Sequence, residues 1–307
     1  MLYNTSIPLP LAVWLLHDEY DYQPVDNKKY LSATQLLQPT RSIVLARRMN
    51  KGTKLDLDSL IAPRLGNAIH ESIEAAWKNR TLRIEALKTL GYPSKIYENL
   101  DVHIEERNYR DIGGYTIGGK FDMVINGTLY DFKSTSVSTW LNKDKEDSYQ
   151  KQGSIYRWLN PHLITSDCVS ICFIFTDWSQ KEAGFKEDYP KSRIQQKDIS
   201  LLSMGSTEMF IRRKLQEINA NADLDQDEMI PCTDKELWRT PSTVKYYASG
   251  DINKKATKVF STIQEAIMYK SKNGNKGTII TVPGEPRRCR YCIAASICKQ
   301  KADMCGE

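Results

Sequence analysis

The chain has 307 residues, 40% of them apolar and 26% charged, a globular composition long enough for one large domain or two ordinary ones. Seven cysteines, an odd number with no secretory signal alongside, exclude a disulfide framework and point to a reducing, cytoplasmic setting. A net charge of +5 is too small to announce a polyanionic partner by itself.

The longest apolar run, residues 8–16, is too short to cross a bilayer, lacks a cationic flank and is followed by Asp18, Glu19 and Asp21. It reads as a packed N-terminal segment, and no membrane partner is expected. The first clear helix is expected over residues 59–78, where Ile61, Leu65, Ile69, Ile73 and Trp77 recur every fourth position as a buried stripe. His70 and Glu74 lie one position off that stripe and share a face. Strand character follows: Val102 and Ile104 alternate, Tyr115 and Ile117 lead into 121–125, and 128–134 forms a third run. Asn126-Gly127 is a tight hairpin turn between the last two runs, so Asp122 and Asp131 fall on paired antiparallel strands. A helix over 147–159 ends before Asn160-Pro161, with Gln152 and Tyr156 on one face. A strand at 169–175 completes a helix, three strands, helix, strand order, which makes an α/β (α+β) mixed sheet flanked by helices.

A further helix is expected over 207–220, then an acidic linker at 223–228. A compact module follows, with strands at 244–247, 256–260 and 278–282 and a helix at 263–271. Three regions result: an N-terminal segment 1–58, a core 59–222 and a C-terminal module 223–307. The last 37 positions carry seven Lys or Arg against three acids, clustered at Arg287, Arg288 and Arg290, where a phosphate backbone would find counter-charge. A solvated tail is the competing reading of that charge.

Two carboxylates and a lysine on adjacent strands can hold a divalent cation and activate water against a phosphodiester. The Asp131-Phe132-Lys133 run, behind Asp122 and the Gly118-Gly119 pair, has this form. A surface salt bridge between Asp131 and Lys133 is the plain alternative. Cys168 and Cys172 share a strand face and read as packing. Cys289, Cys292 and Cys298 fall within ten residues, a density that packing rarely produces, and Cys232 at the start of the module can complete a four-thiolate site.

The set Gly66-x-x-x-His70, Phe121-Asp122, Asp131-Phe132-Lys133 and Gln152-x-x-x-Tyr156 resembles, in order, spacing and setting, the PD-(D/E)XK nucleases of the RecB-like branch. The resemblance implies a restriction-endonuclease-like core. It also implies that His70, Asp122, Asp131 and the Phe132 carbonyl bind Mg²⁺ or Mn²⁺, that Lys133 positions the attacking water, and that Gln152 and Tyr156 line the site. Phe121 stands where the family name has proline. The C-terminal cysteines are similar to the iron–sulfur triad of AddB-like and CRISPR-associated members. A [4Fe-4S] cluster on Cys232, Cys289, Cys292 and Cys298 is therefore implied, with zinc as the alternative, although those families place their first cysteine ahead of the core. The whole pattern looks most like phage-encoded nucleases, which implies DNA as partner and an exonuclease acting on ends in replication or recombination, alongside a protein of that machinery. A structure-selective, sequence-specific or CRISPR-adaptation endonuclease, or a non-catalytic DNA-binding clamp, remains open. On the nuclease reading, Arg41, Arg47, Arg48, Lys51 and Lys54 form one wall of a DNA channel or a solvated helix face, and Tyr149, Tyr156 and Trp158 are core or base-stacking residues.

Overall fold

The protein is seen here as a computed structural model that describes residues 7–17, 29–49, 57–142 and 145–306. Lys51 and Lys54 lie outside the described residues. In chain order the elements begin with α1 (Leu9–Leu16), β1 (Tyr30–Ser32), α2 (Ala33–Leu36) and α3 (Thr40–Arg48). A 3₁₀ turn at Leu57–Leu60 leads into α4 (Ile61–Lys78), α5 (Arg80–Thr89) and α6 (Ser94–Glu98). Then come β2 (Val102–Ile104), β3 (Arg107–Ile112), β4 (Tyr115–Lys120), β5 (Met123–Ile125), β6 (Thr128–Thr135), α7 (Val137–Leu141) and α8 (Glu146–Leu159). The remainder is β7 (Cys168–Phe175), α9 (Gln180–Phe185), β8 (Ile194–Ser200), α10 (Met204–Asn221), β9 (Thr243–Tyr247), β10 (Lys258–Phe260), α11 (Ile263–Lys272), β11 (Thr278–Val282) and α12 (Lys299–Cys305). The chain divides into two compact units, one of Met1–Gln38 with Asn50–Gln216, the other of Pro39–Met49 with Glu217–Glu307.

In the first unit a five-stranded sheet runs in the order β2-β5-β6-β7-β8. It is mixed, because β6 and β7 are parallel and joined through α7 and α8, while the other neighbours are antiparallel. The expected α/β class is therefore the one observed. Asn126 at φ 47° and Gly127 at φ 80° make the β5–β6 turn, and its left-handed pair matches the twist of the strands. Val124, Leu129, Val169, Ile171 and Phe175 are buried in the sheet, and Ile155, Trp158 and Leu159 are buried on α8. At Gly119 of β4 an added Cβ would lie 2.8 Å from Leu159 and 3.0 Å from Tyr156, so the missing side chain lets α8 approach that strand.

Three expectations need correction. No residue of α4 is fully buried, and Ile61 and Leu65 are exposed, because periodicity reveals an amphipathic helix without revealing what covers its apolar face. Both β3 (RNYRDI) and β8 (IQQKDIS) escaped a reading based on apolar alternation, since charged and amide side chains dominate them. Tyr149, Tyr156 and Trp158 are all buried, which settles them as core rather than as stacking surfaces.

In the second unit β10-β9-β11 form an antiparallel sheet covered by α11. Tyr269 of α11 meets Tyr246 and Phe260 edge-on or tilted, and a Thr262–Glu265 capping box starts the helix. Arg41 and Arg48 on α3 both bond backbone carbonyls of the same unit. Arg41 is buried and donates to the Met229 carbonyl at 3.3 Å, while Arg48 donates to the carbonyls of Asn221, Ala222 and Leu224 at 3.2, 2.7 and 2.7 Å. Those last bonds satisfy carbonyls that a helix C-terminus leaves open, and burial takes Arg41 alone out of a DNA-channel wall, since Arg48 is exposed. Among the described helices, none is long and apolar enough to cross a membrane.

Candidate active site and cysteine site

Strand register builds the first site. Ile104, Met123 and Tyr130 are partners across β2, β5 and β6, so the next positions, Glu105, Asp122 and Asp131, form a row of three acids on adjacent strands. Glu105 has φ 54°, and its N–H donates to the Asp122 carbonyl at 3.0 Å, which ties the end of β2 to the row. Asp122 Oδ2 accepts from the Phe132 N–H at 2.8 Å. From α4, His70 reaches over this row, its Nδ1 3.5 Å from Asp122 Oδ2 and its Nε2 3.0 Å from the Phe132 carbonyl.

The charges here are tightly interdependent. Burial raises the Asp131 pKa to about 6, with Asp122 adding to the rise and Lys133 opposing it. For Asp122 burial also favours the neutral acid, but His70, Lys133 and the Phe132 N–H outweigh it and hold the pKa below the ordinary value. Burial disfavours a protonated His70, yet the Asp122 carboxylate more than offsets this and raises its pKa. Lys133 follows the same logic: burial works against its charge, and Asp131 and Asp122 keep it protonated. Burial raises the Glu105 pKa against the opposing pull of Lys120, with which it pairs.

Lys133 Nζ stands 2.6 Å from Asp131 Oδ2 and 5.9 Å from the Tyr149 ring centre. Asp131 Oδ2 is buried, with the Lys133 ammonium as its partner. The surface-salt-bridge alternative fails on this burial, with Asp131 at 3% exposure. Gln152 Nε2 donates to the Tyr156 hydroxyl at 3.0 Å, and it is Tyr149, one turn earlier on α8, that faces the lysine. Glu105 and Tyr149 are the site residues that sequence reasoning missed.

A divalent cation fits this donor set. Ligand atoms of His70, Glu105 and Asp122 lie within 4.8 Å of one another. The Phe132 carbonyl, 3.0 Å from His70 Nε2, offers one more oxygen beside these ligands. Of the expected ligands, His70, Asp122 and the Phe132 carbonyl converge directly, while Asp131 is turned to Lys133.

In the second unit Cys232, Cys289, Cys292 and Cys298 all line one pocket, along with Ser42, Leu237 and Ala294. Ser42 Oγ lies 3.3 Å from Cys292 Sγ, and Gln300 bonds both the N–H and the carbonyl of Cys232 at 2.9 Å. Burial pushes the Cys232 thiol up to about 12, with Glu236 and the other thiols adding to it, and raises Cys289 as well. Thiols so unwilling to ionise need a metal before they can serve as thiolates.

No family model and no curated protein matches the chain. Solved structures do. The protein SSO0001 aligns at 17% identity over 67% of this chain and 83% of its own, with a TM-score of 0.40. A candidate exonuclease from Eubacterium rectale aligns at 14% identity over 67% and 87%, also at 0.40. An alkaline exonuclease from Laribacter hongkongensis aligns at 11% identity over 64% and 92%, at 0.28. Likenesses this distant carry no weight for the chemistry.

Proposed function

We propose that the chain is a divalent-metal-dependent DNA nuclease of the PD-(D/E)XK type, with end-dependent, exonucleolytic cleavage as its finer form. The observation that carries this reading is the convergence of His70, Asp122 and the Phe132 carbonyl beside a buried Asp131–Lys133 pair. When bound, Mg²⁺ or Mn²⁺ would supply charge stabilisation for the phosphodiester and a more acidic water. The chain's own residues do the rest. His70, Asp122, Glu105 and the Phe132 carbonyl would hold the cation, with Asp131 beside them held by Lys133. Lys133, kept cationic by its two aspartates, donates to the attacking water or to the developing oxyanion. Tyr149 closes one side of the lysine, and the Gln152–Tyr156 pair supports the helix face behind it.

For the cysteine site we propose a [4Fe-4S] cluster with a structural role. Cys232, Cys289, Cys292 and Cys298 all line one pocket, and that shared lining is what supports a single four-thiolate group there.

The deciding experiment compares end-labelled linear DNA with closed circles under Mg²⁺ and Mn²⁺. Cleavage of linear DNA alone is expected. Cutting of closed circles would replace the exonuclease form with an endonuclease, and no cleavage of either would end the nuclease reading. Visible absorbance and stoichiometric iron after anaerobic purification are expected for the cluster, whereas a colourless zinc protein would reject it.

A further inference from the structure

Trp238 is the one tryptophan of six that is exposed, at 46%. It ends a helical turn whose bonds run from the Leu237 and Trp238 N–H groups back to the carbonyls of Thr233 and Lys235, and its backbone is left-handed at φ 49°. That position ordinarily goes to glycine or asparagine, so neither backbone preference nor burial accounts for a tryptophan there. Its ring carries a guanidinium: Arg288 stacks 4.8 Å from the ring centre, and the Arg288 N–H is fastened to the Leu237 carbonyl at 3.0 Å.

Tyr291 stands beside it, with ring centres 6.5 Å apart at 49° and the tyrosine 79% exposed. Tyr291 closes the 3₁₀ turn Arg287–Tyr291 and lies between Cys289 and Cys292. Two ligands of the cysteine site thus fix the loop that presents it. Three arginines share this turn, Arg287 and Arg290 with exposed side chains and Arg290 paired to Glu285. Two exposed rings at the surface, one already topped by a cation and one on a turn that carries three arginines, match what unpaired bases and their phosphates require: π faces to stack on and positive charge for the backbone.

We propose that Trp238 and Tyr291 form a stacking surface for unpaired nucleobases of single-stranded nucleic acid, held in place by the cysteine-fastened loop. The nuclease reading supplies the choice of nucleic acid as ligand, and an unpaired base is what a frayed or resected DNA end offers. Exposed Ile293 next to Cys292 would suit an apolar protein partner, but the arginines favour a polyanion.

The test is anisotropy of labelled oligo-dT and of a labelled blunt hairpin duplex, titrated with the full chain without added divalent ion. Tyr291→Ala is expected to weaken oligo-dT binding about tenfold and the duplex less than twofold, while Tyr291→Phe binds as the parent does. Trp238→Ala should also weaken oligo-dT binding, and the parent's tryptophan fluorescence should fall as oligo-dT binds. Metal content and melting temperature of Tyr291→Ala are expected to match the parent. Unchanged oligo-dT affinity in a folded Tyr291→Ala, an equal loss for single strand and duplex, or altered sedimentation with unaltered affinity would each overturn the proposal, the last in favour of a protein contact. Failure here is distinct from failure of the nuclease reading. Parent protein that cleaves DNA but ignores Tyr291 sinks only this inference, and parent protein that binds single strands through Tyr291 yet never cleaves sinks only the other.

Discussion

The carboxylate site and the cysteine site both gather metal-ligating side chains, but different scaffolds hold them. Glu105, Asp122 and Asp131 are set by register across three paired strands, and only His70 arrives from a helix. Cys289 sits on a 3₁₀ turn, Cys292 just after it, Cys232 on an irregular segment and Cys298 at the start of a short helix. A sheet keeps its ligands in place without a metal, whereas loops depend on the metal to keep them together. Loss of metal should therefore silence the first site and loosen the second.

The sharpest test of that contrast is Asp131→Ala or Lys133→Ala. Each is expected to lower DNA cleavage by about 10³-fold, roughly 4 kcal/mol, with circular dichroism and melting close to the parent. Retained activity in either would break the assignment of the site. Cys292→Ser should do the reverse. It is expected to cost about 3 kcal/mol, roughly 15 °C in the melting of the second unit, while molecules that remain folded still cleave. A variant with unshifted melting and no bound metal would remove the structural role of the cysteines.

The same contrast explains what was legible in the sequence. Asn126-Gly127 fixed a hairpin, and counting outward from it placed Asp122 opposite Asp131. Glu105 stayed hidden because its place in the row depends on β2 pairing with β5, strands that β3 and β4 separate in the chain. That Tyr149 faces Lys133 was not legible, because a helix face can be read from spacing but its rotation against the sheet cannot. The α4 stripe was misjudged for a related reason, since Ile61 and Leu65 show the period of a buried face without an element over them among the described residues. The cysteines were legible as a set because reactive side chains so close in sequence are rare, and their pocket needed only Cys232 from further away.

A smaller effect probes the buried acid itself. Asp131 has a pKa of about 6 in the folded chain against an ordinary 3.8, so the folded state holds its proton more tightly than the unfolded state. Its contribution to stability is complete below pH about 3.8 and is lost as pH rises through 6, an effect of order 2 kcal/mol without metal. Urea unfolding in metal-free buffer at pH 4.5 and 7 should show the parent weakening over this window and Asp131→Asn weakening less. An identical pH slope in the two proteins would mean that Asp131 ionises freely. Glu105→Gln follows, with Mn²⁺ affinity expected to fall about tenfold, or 1.4 kcal/mol, while Glu106→Gln leaves it unchanged. Equal affinities for the parent and Glu105→Gln would take Glu105 out of the ligand set.

The smallest expected effect tests whether the sheet sets the spacing of the acids. Gly127 has φ 80°, and a Cβ there would lie 2.1 Å from Thr165 Oγ1, on the residue whose N–H donates to the Gly127 carbonyl at 3.0 Å. Gly127→Ala should therefore cost about 1 kcal/mol through the left-handed backbone, with more if Thr165 cannot turn aside. The hairpin sets the Asp122–Asp131 register, so the variant should also bind Mn²⁺ more weakly than its loss of stability alone would produce. Pairing it with Thr165→Ser, which trims a methyl and keeps the hydroxyl, and with Thr165→Ala, which removes the clash, separates the two causes. Recovery of stability without recovery of metal affinity would show that the turn acts on the site through register. Recovery of both would mean that the crowding at Thr165 was the whole effect, and the acids would then owe their spacing to the strands beyond the turn.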